Sequence, residues 1–298
     1  MEGDSHFGDR HSNHNRMPVP KVTVTCLVAS LLLGMTGFVY AAEPTAKELK
    51  HLGLISAEKG DYDKALENFK KAFALNSKDA ETAVNLSLVY AEKEDYDRAV
   101  GFAQKAVAIN PKKSSSYHTL GLAYEGMGDM PKAIVAYKRG LSVDSNNSDI
   151  YLTLGNLYGR QRNYEDAVAN YKKAIVTNAK NTFAYSNLAY LYQEKGDEKK
   201  AMEYLALAAQ VDPHDEVTWY DLGTAYNKAG TLPKAIESFE KSLKATPKFY
   251  KACLSLAMTY EAQRDLEKAA EYYVKTLSLT ENMRLKEVIL RKVTQASK

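Results

Sequence analysis

A period of 34 residues runs through most of the chain and constrains its fold more than any other feature. Leucine recurs at this spacing, and an alanine follows thirteen residues after each leucine. The two series are Leu52, Leu86, Leu120, Leu154, Leu188, Leu222 and Leu256, and Ala65, Ala99, Ala133, Ala167, Ala201, Ala235 and Ala269. A small residue comes directly after every leucine, and tyrosine stands four residues after it in every unit except the first. Because no unit contains an insertion, the pattern predicts an array of equivalent structural units.

Each unit is predicted to form two helices, as residues 216–249 illustrate. Apolar residues recur there at steps of three and four, which is typical of a helix with one buried face. Gly230 separates the two helices, Pro233 lies at the start of the second, and Pro247 ends it. Glycine–aspartate turns occur at the matching place in three other units, at Gly60, Gly128 and Gly196. One helix pair cannot bury its apolar face alone, so the pairs are expected to stack.

The small residue after each leucine is expected to face the alanine of the second helix, so that the two backbones approach closely. Leucine and tyrosine are then expected to fill the seam to the next unit. A larger side chain at Ala167 or Ala201 would overpack this joint, at a cost of about 1–3 kcal/mol.

The pattern resembles the tetratricopeptide repeat. The sixth unit matches this family at Trp219, Leu222, Gly223, Tyr226, Gly230, Ala235, Phe239 and Pro247, with Ser242 where the family prefers alanine. The seventh unit departs most, with Arg264, Thr276 and Glu281 at the turn glycine, alanine and proline places. The resemblance covers residues 46–283. It implies an all-α fold, a right-handed α-solenoid of seven 34-residue helix-turn-helix repeats plus a C-terminal capping helix.

The chain is therefore expected to have three parts. The expected boundaries are 1–42 for a polar leader and signal peptide or N-terminal anchor, 46–79, 80–113, 114–147, 148–181, 182–215, 216–249 and 250–283 for the repeats, and 284–298 for the capping helix. In the last part, Leu285, Val288, Ile289 and Val293 are expected on one face and the basic residues on the other. That apolar face would cover the open end of the stack. The alternative is a basic helix lying on a membrane surface.

The N-terminal part carries a targeting pattern. An apolar stretch at 22–42 follows Lys21, and Val39 and Ala41 stand at the −3 and −1 places of a signal-peptidase site. A charged start, an apolar centre and a small-residue end predict export to the periplasm or secretion. The alternative is an uncleaved membrane anchor, since about 20 apolar residues can span a bilayer. The upstream histidines, at 6, 11 and 14, are interpreted as part of a polar leader rather than a metal site.

No catalytic or metal-binding motif is found in the repeats. They contain no phosphate-binding glycine loop, no His-Glu-x-x-His and no paired cysteines, and their three histidines are isolated in sequence. Cys253 is interpreted as a small buried residue. The sequence therefore predicts no enzyme, no cofactor and no metal. The repeats carry almost no net charge, which argues against nucleic acid as a partner.

The family resemblance places a binding groove along the concave surface formed by the first helices. The candidate partner-binding residues are Asn156, Phe183, Asn187, Tyr190, Tyr220, Asp221 and Asn227. Asparagine can pair with a bound backbone through a donor and an acceptor, and aromatic side chains supply rigid contact area. This mixture suits a peptide or protein segment. The alternative is that these are ordinary solvated residues.

The carboxylate clamp of some family members is not expected here, because Leu152, Val217 and Asp221 occupy cationic places of that motif. The leading hypothesis is a non-catalytic protein-interaction scaffold, in assembly of an envelope or secretion complex. One alternative is an accessory subunit that presents substrates to a partner enzyme. A second alternative is an RNA-binding helical repeat, against which the strict period, the neutral body and the export signal all argue.

Overall fold

The computed structural model describes residues 43–296, and every regular element in that range is an α-helix. The N-terminal unit, which ends at Asn146, contains α1 (Ala46–Glu58), α2 (Tyr62–Leu75), α3 (Ala80–Glu92), α4 (Tyr96–Ile109), α5 (Ser114–Gly126) and α6 (Met130–Val143). The C-terminal unit contains α7 (Ser148–Arg160), α8 (Tyr164–Thr177), α9 (Thr182–Glu194), α10 (Glu198–Val211), α11 (Glu216–Lys228), α12 (Leu232–Ala245), α13 (Tyr250–Ala262), α14 (Leu266–Leu279) and α15 (Met283–Ala296). Seven helix-turn-helix pairs, followed by α15, confirm the predicted all-α solenoid fold class.

The second helix of most pairs begins at a residue that caps it. An aspartate or asparagine side chain accepts a hydrogen bond from the backbone N–H three residues further along. These capping residues are Asp61, Asp95, Asp129, Asn163, Asp197 and Asp265. Each cap satisfies one of the helical N–H groups that have no partner within the helix, which fixes where the helix starts.

In all seven pairs, the residue two places before the start of the second helix has a left-handed backbone. The glycine turns predicted at 60, 128, 196 and 230 are confirmed, with φ between 72° and 85°. Three other pairs reach the same conformation with Glu94, Arg162 and Arg264, at φ of 58° to 64°. A side chain with a Cβ atom is strained in this region by about 1 kcal/mol, so these turns are less favourable than the glycine ones.

In the four pairs that carry glycine at the small-residue position, the nearest neighbour of that position is an aromatic ring of the second helix rather than the invariant alanine. A Cβ atom added to Gly53 would lie 2.5 Å from Cε1 of Phe69, and one added to Gly223 would lie 2.6 Å from Cε1 of Phe239. The small residue therefore makes room for the aromatic ring four residues beyond the alanine. The second pair has alanine in place of that ring, and there Ser87 Oγ donates to the Ala99 carbonyl over 2.8 Å. The repeated alanines themselves are all buried.

The repeated leucines are buried or half-buried in every pair except the first, in which Leu52 is 46% exposed. In the described part of the chain no helix pair precedes α1. Leu86 of the second pair, by contrast, is fully buried in one cluster with Leu66 and Phe69 of the first pair, so the preceding pair covers this position.

The last helix, α15, packs through Leu285, Ile289 and Val293 onto the apolar cluster of α12, α13 and α14. This agrees with the predicted face, but Val288 does not belong to it, because its side chain is 52% exposed. Val288 lies at the edge of the apolar stripe, one residue before the fully buried Ile289, and the helix turns it away from the cluster.

No helix in residues 43–296 is both long enough and apolar enough to cross a bilayer. The predicted signal or anchor at 22–42, and the histidines at 6, 11 and 14, lie outside the described residues. Cys253 is buried on α13, and burial raises the pKa of its thiol.

Candidate protein-binding surface

The predicted binding residues all lie on first helices of the C-terminal unit. Asn156 is on α7, Phe183, Asn187 and Tyr190 are on α9, and Tyr220, Asp221 and Asn227 are on α11. Side by side, α7 contacts α9, and α11 contacts α13. Between α9 and α11, the hydroxyls of Ser186 and Thr218 lie 3.5 Å apart. The first helices therefore form one continuous strip within this unit.

Two of the predicted residues are hydrogen-bonded to each other. Asn187 Nδ2 donates to Asn156 Oδ1 over 2.8 Å, which joins α9 to α7. Both side chains are half-buried, so this pair is part of the strip's surface. A bond between neighbouring first helices holds both amides in one orientation, which reduces the entropy lost when a ligand binds them.

Asn156 also accepts a hydrogen bond from the second helix of its own pair. The hydroxyl of Tyr171, a fully buried residue of α8, donates to Asn156 Oδ1 over 2.8 Å. Burial raises the pKa of Tyr171, so the hydroxyl stays protonated and needs an acceptor. Sequence reasoning treated Asn156 as a binding residue alone, and the structure adds this structural role.

In two further helix pairs, a carboxylate accepts the hydrogen bond from the tyrosine hydroxyl at the same position. Tyr137 donates to Glu125 over 2.8 Å, and Tyr273 donates to Glu261 over 2.5 Å. Each acceptor is the twelfth residue of its repeat. In the fourth repeat that place is Gly159, so the hydroxyl turns to Asn156, one helical turn earlier. This substitution is visible in the sequence, and it is the signal that could have revealed the second role of Asn156.

Tyr220 belongs more to the packing than to the open surface. Its ring lies 5.8 Å from that of Phe239 and meets Phe249 edge-on, with centroids 5.4 Å apart. Aromatic contacts of this kind contribute beyond the area they bury. Tyr220 is therefore expected to matter to stability as well as to binding.

The remaining predicted residues differ in exposure. Phe183 is 45% exposed, which is high for a phenylalanine, whereas Tyr190, Asp221 and Asn227 are half-buried. Asp221 is the one acid among the seven predicted residues, in a strip that is otherwise amide and aromatic at these places. Such a surface offers both hydrogen bonds and apolar contact area to a bound polypeptide.

Within residues 43–296, no group of three or more histidine, cysteine, aspartate or glutamate side chains is placed to hold a metal ion. The one free cysteine there, Cys253, is buried beside apolar neighbours.

Comparison with known proteins agrees with this architecture. Four family models, each described as tetratricopeptide repeat, match residues 56–121, 220–279, 136–169 and, for one model twice, 114–147 and 184–215. The crystal structure of MamA protein is 30% identical over 55% of this chain and 90% of MamA, with a TM-score of 0.50. The chain belongs to the tetratricopeptide-repeat family. Repeats of this family form protein-interaction scaffolds that bind peptides or proteins.

Other solved tetratricopeptide-repeat structures share the fold at lower identity. YrrB, a TPR protein with an unusual peptide-binding site, is 22% identical over 61% of this chain and 94% of its own, with a TM-score of 0.51. The C-terminal part of a TPR repeat-containing protein from Cytophaga hutchinsonii is 18% identical over 80% of this chain and 98% of its own, with a TM-score of 0.61. No curated sequence matches the chain at a significant level.

Proposed function

We propose that the C-terminal unit binds a peptide or protein segment along its first-helix strip and catalyses no reaction. The observation that carries this proposal is the Asn156–Asn187 pair, which fixes two amide side chains at a half-exposed surface next to the exposed ring of Phe183.

The chemistry of the strip fits a polypeptide ligand. Asparagine amides at 187 and 227 can each donate to and accept from a bound backbone. Phe183 and Tyr190 supply flat contact area with few rotatable bonds, so they lose little entropy on binding. The similarity to YrrB, whose own binding site takes a peptide, supports the same class of ligand for this chain.

The biological setting is part of the proposal. The apolar stretch at 22–42 supports export, with the repeats acting in assembly of an envelope or secretion complex. N-terminal sequencing of the native protein tests this: a mature start at Ala42 or Glu43 supports export with cleavage. Retention of residues 22–41 in an alkali-resistant membrane fraction would instead support an anchored protein.

The binding claim is tested by the double variant Asn187→Ala/Tyr190→Ala. Native partners are captured on immobilised protein, and the melting temperature of each variant is measured beside the capture. Loss of an interface anchor costs about 2 kcal/mol or more, so capture should fall by more than about tenfold. The matched control is Asn170→Ala/Tyr164→Ala, which removes the same residue types from the second helix α8 and should leave capture intact.

If capture survives in the first double variant while the melting temperature collapses, the two residues are core residues and the proposal is wrong. If both survive unchanged, the partner binds elsewhere on the molecule, and the strip is not its site.

A further inference from the structure

The last helix, α15, has the pattern of buried positions of a first helix, but it starts one residue earlier than the 34-residue period predicts. Successive helix pairs within the C-terminal unit are joined by four residues, as at 246–249, whereas α14 and α15 are joined by three, 280–282. Counted from its own start at Met283, α15 places Ile289 where α13 has Leu256, and both side chains are fully buried. The two helices therefore present equivalent faces.

The exposed side chain of Leu290 supports this register. Its counterpart on α13 is Ala257, which is fully buried and packs in one cluster with Tyr273 of its own pair. Among the described residues α15 has no second helix, and Leu290 is 55% exposed. At these two positions α15 thus has the burial of a first helix that no second helix covers within residues 43–296.

This register continues the binding strip from α13 onto α15. Phe183, Asn187 and Tyr190 are the second, sixth and ninth residues of α9. The same three places are held by Lys251, Ser255 and Met258 on α13 and by Arg284, Val288 and Arg291 on α15. Neighbouring packed helices are about 8–10 Å apart, so these side chains lie next to those of the preceding first helices and continue the strip.

The two ends of the strip differ in charge. At these places α7 carries Asp149 and α11, the middle helix of the five, carries Asp221, whereas α13 and α15 carry Lys251, Arg284 and Arg291. One further exposed acid, Glu287, lies on α15 between the two arginines. These three cations are exposed, and none of the ion pairs found in residues 43–296 involves them. By contrast, Lys292 on α15 is paired with Glu261 over 2.7 Å.

Apolar side chains lie between these cations. Met258 is 51% exposed and Val288 is 52% exposed, so both present apolar surface beside the cations. An apolar surface framed by unpaired cations complements a segment that carries carboxylates and apolar residues close together.

Resting on the proposed function, we propose that the strip is electrically polarised and binds an acidic amphipathic segment of a partner protein, with the acidic part over α13 and α15. The cations hold the carboxylates, and Met258 and Val288 receive the apolar side chains. Asp149, at the α7 end of the strip, repels the same segment in the reversed orientation, so the polarity also fixes the direction of binding.

The test uses the full chain and a fluorescein-labelled peptide in which glutamate alternates with leucine, followed by fluorescence anisotropy. Its counterpart has glutamine in place of every glutamate. The glutamate peptide should bind more tightly, and added salt should weaken it. The variant Arg284→Glu/Arg291→Glu should bind it about tenfold more weakly or worse. The matched control, Lys172→Glu/Lys244→Glu, makes the same change of net charge on second helices and should bind as the unmodified chain does.

Circular dichroism of the charge-reversal variant serves as the folding check, and Arg284→Gln/Arg291→Gln gives a milder second variant with an intermediate loss expected. Equal binding of the two peptides, or equal binding by the charge-reversal and control variants, would overturn the proposal. Binding of phosphatidylglycerol vesicles without binding of the glutamate peptide would identify a membrane contact and would equally overturn it. The proposed function is tested separately, by the Asn187→Ala/Tyr190→Ala variant.

Discussion

Replacing Asn156 by alanine removes the oxygen that accepts hydrogen bonds from both Tyr171 and Asn187. The Tyr171 hydroxyl is buried, so it would be left without its acceptor inside the repeat. Leaving a buried polar group unpaired costs about 1–3 kcal/mol. For a chain of this size, 2 kcal/mol corresponds to roughly 4–8 °C in melting temperature. Asn156→Ala is therefore expected to lower the melting temperature by several degrees, in addition to any effect on binding.

The variant Asn156→Asp separates the acceptor role from the size of the side chain. Carboxylates already accept the equivalent tyrosine hydroxyls at Glu125 and Glu261, so aspartate can fill this role. We expect Asn156→Asp to lie within about 0.5 kcal/mol of the unmodified chain.

A double-mutant cycle with Tyr171→Phe measures the pair directly. Once the hydroxyl is gone, Asn156→Ala should cost about 1 kcal/mol less than it does in the unmodified chain. Thermal and urea unfolding followed by circular dichroism give the four stabilities. If Asn156→Ala costs the same with and without the hydroxyl, the two residues are not coupled and the structural role assigned to Asn156 is refuted.

Three further predictions concern the turns, the packing and the end of the chain. Arg264→Gly relieves the strain of a left-handed backbone and should raise the free energy of unfolding by about 0.5–1 kcal/mol, measured by thermal unfolding. Gly230→Ala should lower it by about 1 kcal/mol. A loss of stability in Arg264→Gly would contradict the assigned strain. Gly155→Ala should lower stability by about 1–3 kcal/mol, because the added Cβ would lie 2.5 Å from the Tyr171 ring. Gly101→Ala, which has open space around it, should instead stabilise α4 by about 0.5–1 kcal/mol. Equal effects at the two sites would refute the packing account. Hydrogen bonds from Lys292 and Tyr273 hold the pKa of Glu261 below its ordinary value of 4.5, so the stability that this carboxylate adds is present above that value and is lost as the pH falls through the lower, folded-state pKa. The melting temperature of Lys292→Met should accordingly lie below that of the unmodified chain at neutral pH and converge with it in acid, and a difference that persists in acid would contradict the linkage.

The repeat fold could be predicted from the sequence because its determinants are local and recur seven times. A glycine before an aspartate marks the turn in three units, and the leucine and alanine series mark the buried faces in all seven. The partner of the small residue could not be read in this way. Gly53 could have faced either Ala65 or Phe69, which lie four residues apart on one helix face, and only the geometry shows that the ring fills the space.

The candidate site was predictable to a lesser degree. The family pattern places Asn156 and Asn187 on first helices, and the structure brings their amides together. The position of Asn156 beside Tyr171 depends on Gly159, whose lack of a side chain shifts the acceptor by one turn. The register of α15 depends on a link shortened by one residue, which moves Ile289 rather than Leu290 into the leucine place. Single-residue changes of this kind alter which side chains meet, while the period itself stays recognisable.

The central claim, that a partner segment lies along the first helices of the C-terminal unit, is tested most directly by site-specific photo-crosslinking. The photoreactive residue benzoylphenylalanine would replace Phe183 on α9 in one protein, and Val176 on the second helix α8, which is 84% exposed, in another. Each protein is mixed separately with the partner that the unmodified chain captures, and each mixture is irradiated. A covalent adduct from position 183 and none from position 176 is the result expected here. An adduct from position 176 alone would place the partner on the second helices and contradict the account.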